Sequence, residues 1–238
     1  MKAFFYGLIL QWKLDFRTKA LFMMYYAVPL IFFLVMGSVF TTVMPWMKEI
    51  IIYTMIVTGV SMGAFLGYPG TLIEIYATEI RKMYQANGVP LYLGLVTGYL
   101  SAFFHLFLMS HVILFLAPVL YDAVSPENLL EFYPGLLLLL AASLGIGSLE
   151  GLLIKNKANL PMIGQLCFLP ALLLSGVMFP QDLLPDFLAG VGKCFPAYWG
   201  NRILGEGGLS PEYAGPLLIW IGATTVLSIF LLRCQKSK

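Results

Sequence analysis

Residues 172–204 read LLLSGVMFPQDLLPDFLAGVGKCFPAYWGNRIL. They continue an apolar run that starts after Lys157 and is long enough to cross a bilayer, yet at Phe179-Pro180 the pattern changes without becoming a polar loop. Pro180, Pro185 and Pro196 each remove a backbone donor and fix φ, so no single helix continues through them. Leu184, Phe187, Leu188, Val191 and Phe195 recur at spacings of three and four, which predicts short helices with one apolar side. Broken apolar helix is tolerated at membrane depth only where protein or a water-filled cavity covers the freed backbone groups. Residues 180–204 therefore predict a re-entrant helical hairpin capping a cavity, with a hairpin on the lipid surface as the alternative.

The composition of the whole chain points to lipid as the solvent. Of 238 residues 60% are hydrophobic and only 11% charged, and mean hydropathy is +0.86, whereas a soluble domain carries about 25% charged residues. A net charge of +2 is too small to argue for a nucleic-acid partner. Cys167, Cys194 and Cys234 lie far apart and form no CxxC pattern, so neither a disulfide framework nor a zinc site is expected. His105 and His111, six residues apart, are turned about 240° from each other on a helix, which fits helix packing or pore lining better than a shared metal.

A crossing needs about 20 apolar residues, and the charge-free windows are 20–47, 50–73, 83–121, 132–149, 158–181 and 213–232. The third is nearly long enough for two crossings, but Asn87-Gly88 followed by Pro90 is a stop and restart signal that trims it to one. The reading is one all-α integral membrane domain over 1–238, with spans at about 20–44, 50–70, 91–120, 132–153, 158–179 and 213–232. Both termini then share a side, and the inner segments hold eleven Lys and Arg against three outside (Lys48, Lys193 and Arg202), as the positive-inside rule requires of cytoplasmic termini. Residues 2–18 put Phe5, Leu8, Ile9, Trp12 and Phe16 on one helical face and Lys2, Lys13 and Arg17 on another. That pattern predicts a helix in the membrane interface, or else the polar start of the first span. No A-x-A-like site follows the first apolar run, which argues against a cleavable signal peptide.

Nothing in the chain looks like a catalytic motif. Gly192-Lys193 resembles the end of a phosphate-binding loop, but Cys194 stands where Ser or Thr should hold magnesium. Gly145, Gly147 and Gly151 imitate a dinucleotide fingerprint inside an apolar span, where helix packing explains them. Gly59, Gly63 and Gly67, with Gly94 and Gly98, carry GxxxG spacing and predict close helix approach; the opposite side of the second span, with Ser61, Phe65 and Tyr68, is left to face a cavity. Glu150, at one end of the fourth span, is expected to reach the interface or Lys155.

Ser175-Gly176, Phe179-Pro180, Leu184-Pro185, Leu188, Phe195-Pro196 and Tyr198 together resemble the C-terminal signature of permeases of the type-2 ATP-binding-cassette (ABC) exporter family. The resemblance implies two permease units, identical or related, and two ATPase subunits on other chains or a separate domain. ATP and Mg would be bound there and no cofactor by this chain, which would itself be no enzyme. It implies a plasma membrane location, that of a bacterial cell. It places a coupling segment at 71–90 (TLIEIYATEIRKMYQANGVP), where Glu79, Arg81, Lys82 and Gly88 would meet the ATPase, although the glycine often found just after the acidic residue is replaced in Glu79-Ile-Arg-Lys-Met83. It places Phe65, Tyr68, Leu173 and Met178 on the translocation path, and Pro180, Pro185 and Pro196 in the hairpin. An amphipathic drug, antibiotic or peptide is the expected substrate; polysaccharide, glycolipid or sodium export, an integral-membrane enzyme and a scaffold subunit are the alternatives.

Overall fold

The computed structural model describes residues 2–205 and 208–236, and every regular element among them is helical. Helix α1 (Lys2–Arg17) precedes α2 (Lys19–Val43) and α3 (Ile51–Tyr76); a short α4 (Glu79–Ala86) leads into α5 (Leu91–Tyr121) and α6 (Leu129–Leu153); α7 (Lys157–Leu174) is followed by short α8 (Asp186–Gly192) and α9 (Pro196–Gly205), then α10 (Pro211–Lys236). Helices α2, α3, α5, α6, α7 and α10 are long and apolar enough to cross a membrane.

The bundle is built around α3. Its most apolar window is 89% buried, against 22% for α10 at the periphery. A helix that is apolar all round belongs inside, and Ile52, Ile56, Val57, Val60 and Leu72 have no exposed surface. The predicted glycine seam does its packing here: Gly59 lies against Met109 and Pro29, Gly63 against Leu106, and Gly67 against Met24 and Tyr25. By contrast α2 and α10 leave apolar stripes uncovered, among them Ile31, Val35 and Val39, and Ile219, Val226 and Phe230.

Two of the six long helices contain a π turn, at Met23–Ala27 in α2 and at Gly63–Gly67 in α3. A proline follows each by two residues, Pro29 and Pro69, with neither an N–H nor room for an unaltered α-helical turn before it. The Val28 N–H therefore reaches the Met23 carbonyl and the Tyr68 N–H that of Gly63, five residues back. The two π turns are in contact.

The connections gather at two ends. One end holds 44–50, 122–128 and the proline-broken stretch, tied by Val124 N–H donating to the Lys48 carbonyl (2.9 Å) and a Lys48–Asp122 ion pair (3.4 Å). The other, basic end holds α4 and the α6–α7 connection, where Lys157 pairs with Glu74. Two boundaries depart from the sequence reading. Helix α3 runs to Tyr76, six residues beyond its expected end, because Thr71, Leu72, Ile73, Ile75 and Tyr76 are all buried and only Glu74 faces outward. Helix α7 stops at Leu174, and Gly176 adopts φ +75, a conformation glycine tolerates without strain.

Candidate functional site

At the basic end, α4 is a helix of eight residues with none buried. Its own sequence closes both ends. Thr78 caps the start, accepting from the Ile80 N–H at 3.3 Å. At the other end Gly88 adopts φ +65, Val89 N–H reaches the Tyr84 carbonyl (2.8 Å) and Gly88 N–H that of Gln85 (3.3 Å), the Schellman arrangement. Glu79 and Lys82 pair at 3.0 Å across one turn. The base of the excursion is closed by Tyr76 Oη donating to the Leu91 carbonyl at 2.5 Å. Glu79, Arg81 and Lys82 together line a cavity of about 380 Å³ against Lys155 and Gly151 of the α6 end. Ile80 and Met83, 39% and 61% exposed, add apolar surface on the same helix. Four predicted residues, Glu79, Arg81, Lys82 and Gly88, thus sit on one capped, protruding element.

The opposite end carries a second cavity, of about 250 Å³, bounded by Trp46, Tyr53, Met178, Pro180, Asp182 and Arg202. The three prolines start structure rather than merely break it: Pro180 precedes a single 3₁₀ turn, Pro185 precedes α8, and Pro196 is the first residue of α9. The two arms differ. In α9 Pro196, Ala197, Tyr198, Gly200, Ile203 and Leu204 are buried, against α3, α6 and α10. In α8 only Gly192 is buried, where its bare Cα sits on the Leu174 carbonyl, and Phe187 is 78% exposed. Trp199 Nε1 donates to the Lys193 carbonyl at 2.7 Å and holds the corner.

The four residues placed on a translocation path do not share one surface of the chain. Phe65 and Tyr68 are buried in the core, with Tyr68 Oη 3.2 Å from Ser148 Oγ, while Leu173 is exposed on α7 and Met178 lines the second cavity. Nor is the side of α3 opposite its glycines open, since Ser61 is buried as well. Glu150 corrects another expectation. Its helix ends at Leu153, so exposed Lys155 lies beyond the last turn, and the carboxylate turns inward, 6% exposed, toward Cys167 of α7. His105 and His111 keep separate partners, Tyr26 Oη at 2.8 Å and Tyr133 Oη at 3.2 Å.

One polar cluster escaped the sequence reading. Asp15 of α1, 2% exposed, accepts from Ser101 Oγ of α5 at 2.6 Å and from Gln11 Nε2 at 2.7 Å. Above it His105 stacks with both Trp12 and Tyr25. Burial lifts the Asp15 carboxyl from 3.8 to about 6; the hydrogen bonds from Ser101 and Gln11 oppose the rise and the charge of Glu74 adds to it. The docked state therefore binds the proton more tightly than a detached, solvated α1, and docking weakens as pH climbs from about 4 to about 6 and is level above. A rise of that size corresponds to about a hundredfold change in the docking constant, about 3 kcal/mol. Hydrogen exchange of the α1 amides is expected to follow that window, and Asp15→Asn to abolish the dependence while leaving α1 docked; equal protection in the wild type at pH 4 and pH 7 would refute the assignment.

No protein-family model matches the chain and no curated protein matches it, so the exporter resemblance rests on the residues of the proline-broken stretch.

Proposed function

We propose that this chain is the membrane-spanning permease subunit of an ATP-driven exporter. The observation that carries the reading is α4: a helix capped at both ends by its own sequence, with no residue fully buried and only Tyr84 packed against the core, presenting charge and apolar side chains together. A connector needs no such helix; a docking element does. Ion pairs on an exposed helix add little to the fold, so Arg81 and Lys82 are free to serve a partner.

In this reading two ATPase subunits meet α4 on each of two permease units, at the cytoplasmic side, which the basic residues mark as inner. Closure of the ATPases on ATP and Mg pushes α4, and the Tyr76–Leu91 bond at its base passes the push to α3 and α5 together. The broken stretch then faces outward as a re-entrant hairpin over its cavity, with buried α9 as the fixed arm and exposed α8 as the movable one. Helix α1 lies at the membrane interface, its exposed Phe5, Tyr6, Ile9 and Leu14 toward lipid. An amphipathic substrate suits a chain that is 60% hydrophobic, with 12 Met and 15% aromatic residues, since adaptable apolar walls accept varied ligands.

Reconstitution tests it. The chain is expected to copurify with an ATPase carrying a phosphate-binding loop, and the pair to drive ATP-dependent movement of an amphipathic dye in inverted vesicles; an ATPase that neither binds nor is stimulated would sink the proposal. Orientation is read in the same cells. Cys194 and Cys234 are both exposed, so an impermeant thiol reagent is expected to label a variant retaining Cys194 and spare one retaining Cys234.

A further inference from the structure

Where α3, α6 and α7 meet, acceptors outnumber strong donors. Glu150 is 6% exposed and neither carboxylate oxygen has a hydrogen-bond partner at ordinary distance; the group facing it is the thiol of Cys167, a weak donor. One turn away on the same face of α6, Gly147 lies directly against the Ala64 carbonyl, where any Cβ would collide. That carbonyl has lost both of its helical donors, because Tyr68 N–H goes to Gly63 and Pro69 has no N–H. From α7, Gly164 approaches the Phe65 carbonyl so closely that a Cβ would come within 2.7 Å, and Pro69 again withholds the i+4 donor. Along the contacts of α3 with α6 and α7, one carboxylate and two backbone carbonyls thus lack their usual partners.

A buried carboxylate without counter-charge is strongly disfavoured, and orphaned buried acceptors are rare. A small cation supplies what is missing, and helices interrupted at membrane depth hold monovalent ions through such freed carbonyls. Among the described residues no three His, Cys, Asp or Glu side chains converge, so the donor set is oxygen-based and unlike that of a transition metal. We propose that this junction binds one monovalent cation, held by Glu150 and the carbonyls of Ala64 and Phe65. The ion is resident, enclosed within a single chain, and the inference stands independently of the export reading.

The test uses the full chain in lipid nanodiscs without any ATPase. Thermal unfolding is followed by tryptophan fluorescence while Na⁺, K⁺ or Li⁺ replaces choline at constant ionic strength. At least one of these cations is expected to raise the Tm saturably, with about one ion bound per chain in equilibrium binding. Glu150→Gln is expected to move half-saturation upward at least tenfold, and the exposed control Glu127→Gln to leave it in place. Superimposed wild-type curves in all four cations would overturn the site, showing the carboxyl to be neutralised by a proton instead, and so would equal cation protection in Glu150→Gln.

Discussion

Replacing Arg81 and Lys82 together with Ala is expected to lower ATP-driven export at least tenfold while the amount of chain in the membrane stays the same. The expectation follows from exposure. Surface substitutions away from packed features change stability by about 0.5 kcal/mol or less, and no residue of α4 is buried, so the fold does not depend on these two side chains. Gly88→Val attacks the same element by another route. Space is ample there, with nothing within 4 Å of an added Cβ, but the backbone sits at φ +65, where a β-branched residue is strained by about 1–2 kcal/mol. The last turn of α4 is then expected to unwind, releasing the Schellman bonds and misplacing the face proposed to dock the ATPase. Both variants are to be measured for membrane abundance, ATPase association and transport. Falling abundance with unchanged activity per molecule would assign α4 to the fold and not to coupling.

Gly147→Val is expected to destabilise the folded protein severely. The new side chain would drive into the Ala64 carbonyl, a backbone atom at the centre of the bundle that cannot move aside as a flexible side chain could. Overpacking of this kind costs about 3 kcal/mol, a large fraction of a typical domain's net stability. Monodisperse protein recovered after detergent extraction is expected to drop at least tenfold. Gly222→Val on α10, where an added Cβ meets nothing within 4 Å, is the matched control and is expected to be recovered as well as the parent. Equal recovery of both would mean that α3 and α6 are not packed as described.

The architecture was legible where the signal is local. Charge-free length marked the six long helices, and Asn87-Gly88-Pro90 located the start of α5 because turn chemistry is written in adjacent residues. The limits of α4 followed less well: residues 71–76 look like a charged loop because of Glu74, yet their apolar side chains extend α3, and Glu74 finds Lys157 eighty-three positions away. Asp15 was hidden for a similar reason. On a helix with Lys13 and Arg17 an acid reads as one more solvated charge, and its partner Ser101 is eighty-six residues distant. Glu150 was expected to reach the interface or Lys155 by nearness in sequence, but its helix ends at Leu153 and Ile154 is extended, so Lys155 leaves the helix before it can turn back to the carboxylate. The π turns left only a partial trace: Pro29 and Pro69 stand inside apolar windows and each removes a helical N–H, but Pro118 and Pro170 do the same within α5 and α7 without a π turn.

The π turn of α3 sets an angular phase as well as a bend. A π turn holds one residue more than the α turn it replaces, and one residue of helix is about 100° of rotation. Everything beyond Gly67 is therefore indexed by that extra residue: Leu72 beneath Gly151, Tyr76 aimed at the Leu91 carbonyl, Glu74 outward to Lys157. Removing a single residue between Gly63 and Gly67 would leave the apolar composition of the helix unchanged and still turn the base of α4 by more than a quarter circle. The direction in which α4 leaves the bundle is thus fixed some four turns upstream, by the one surplus residue of the π turn that precedes Pro69.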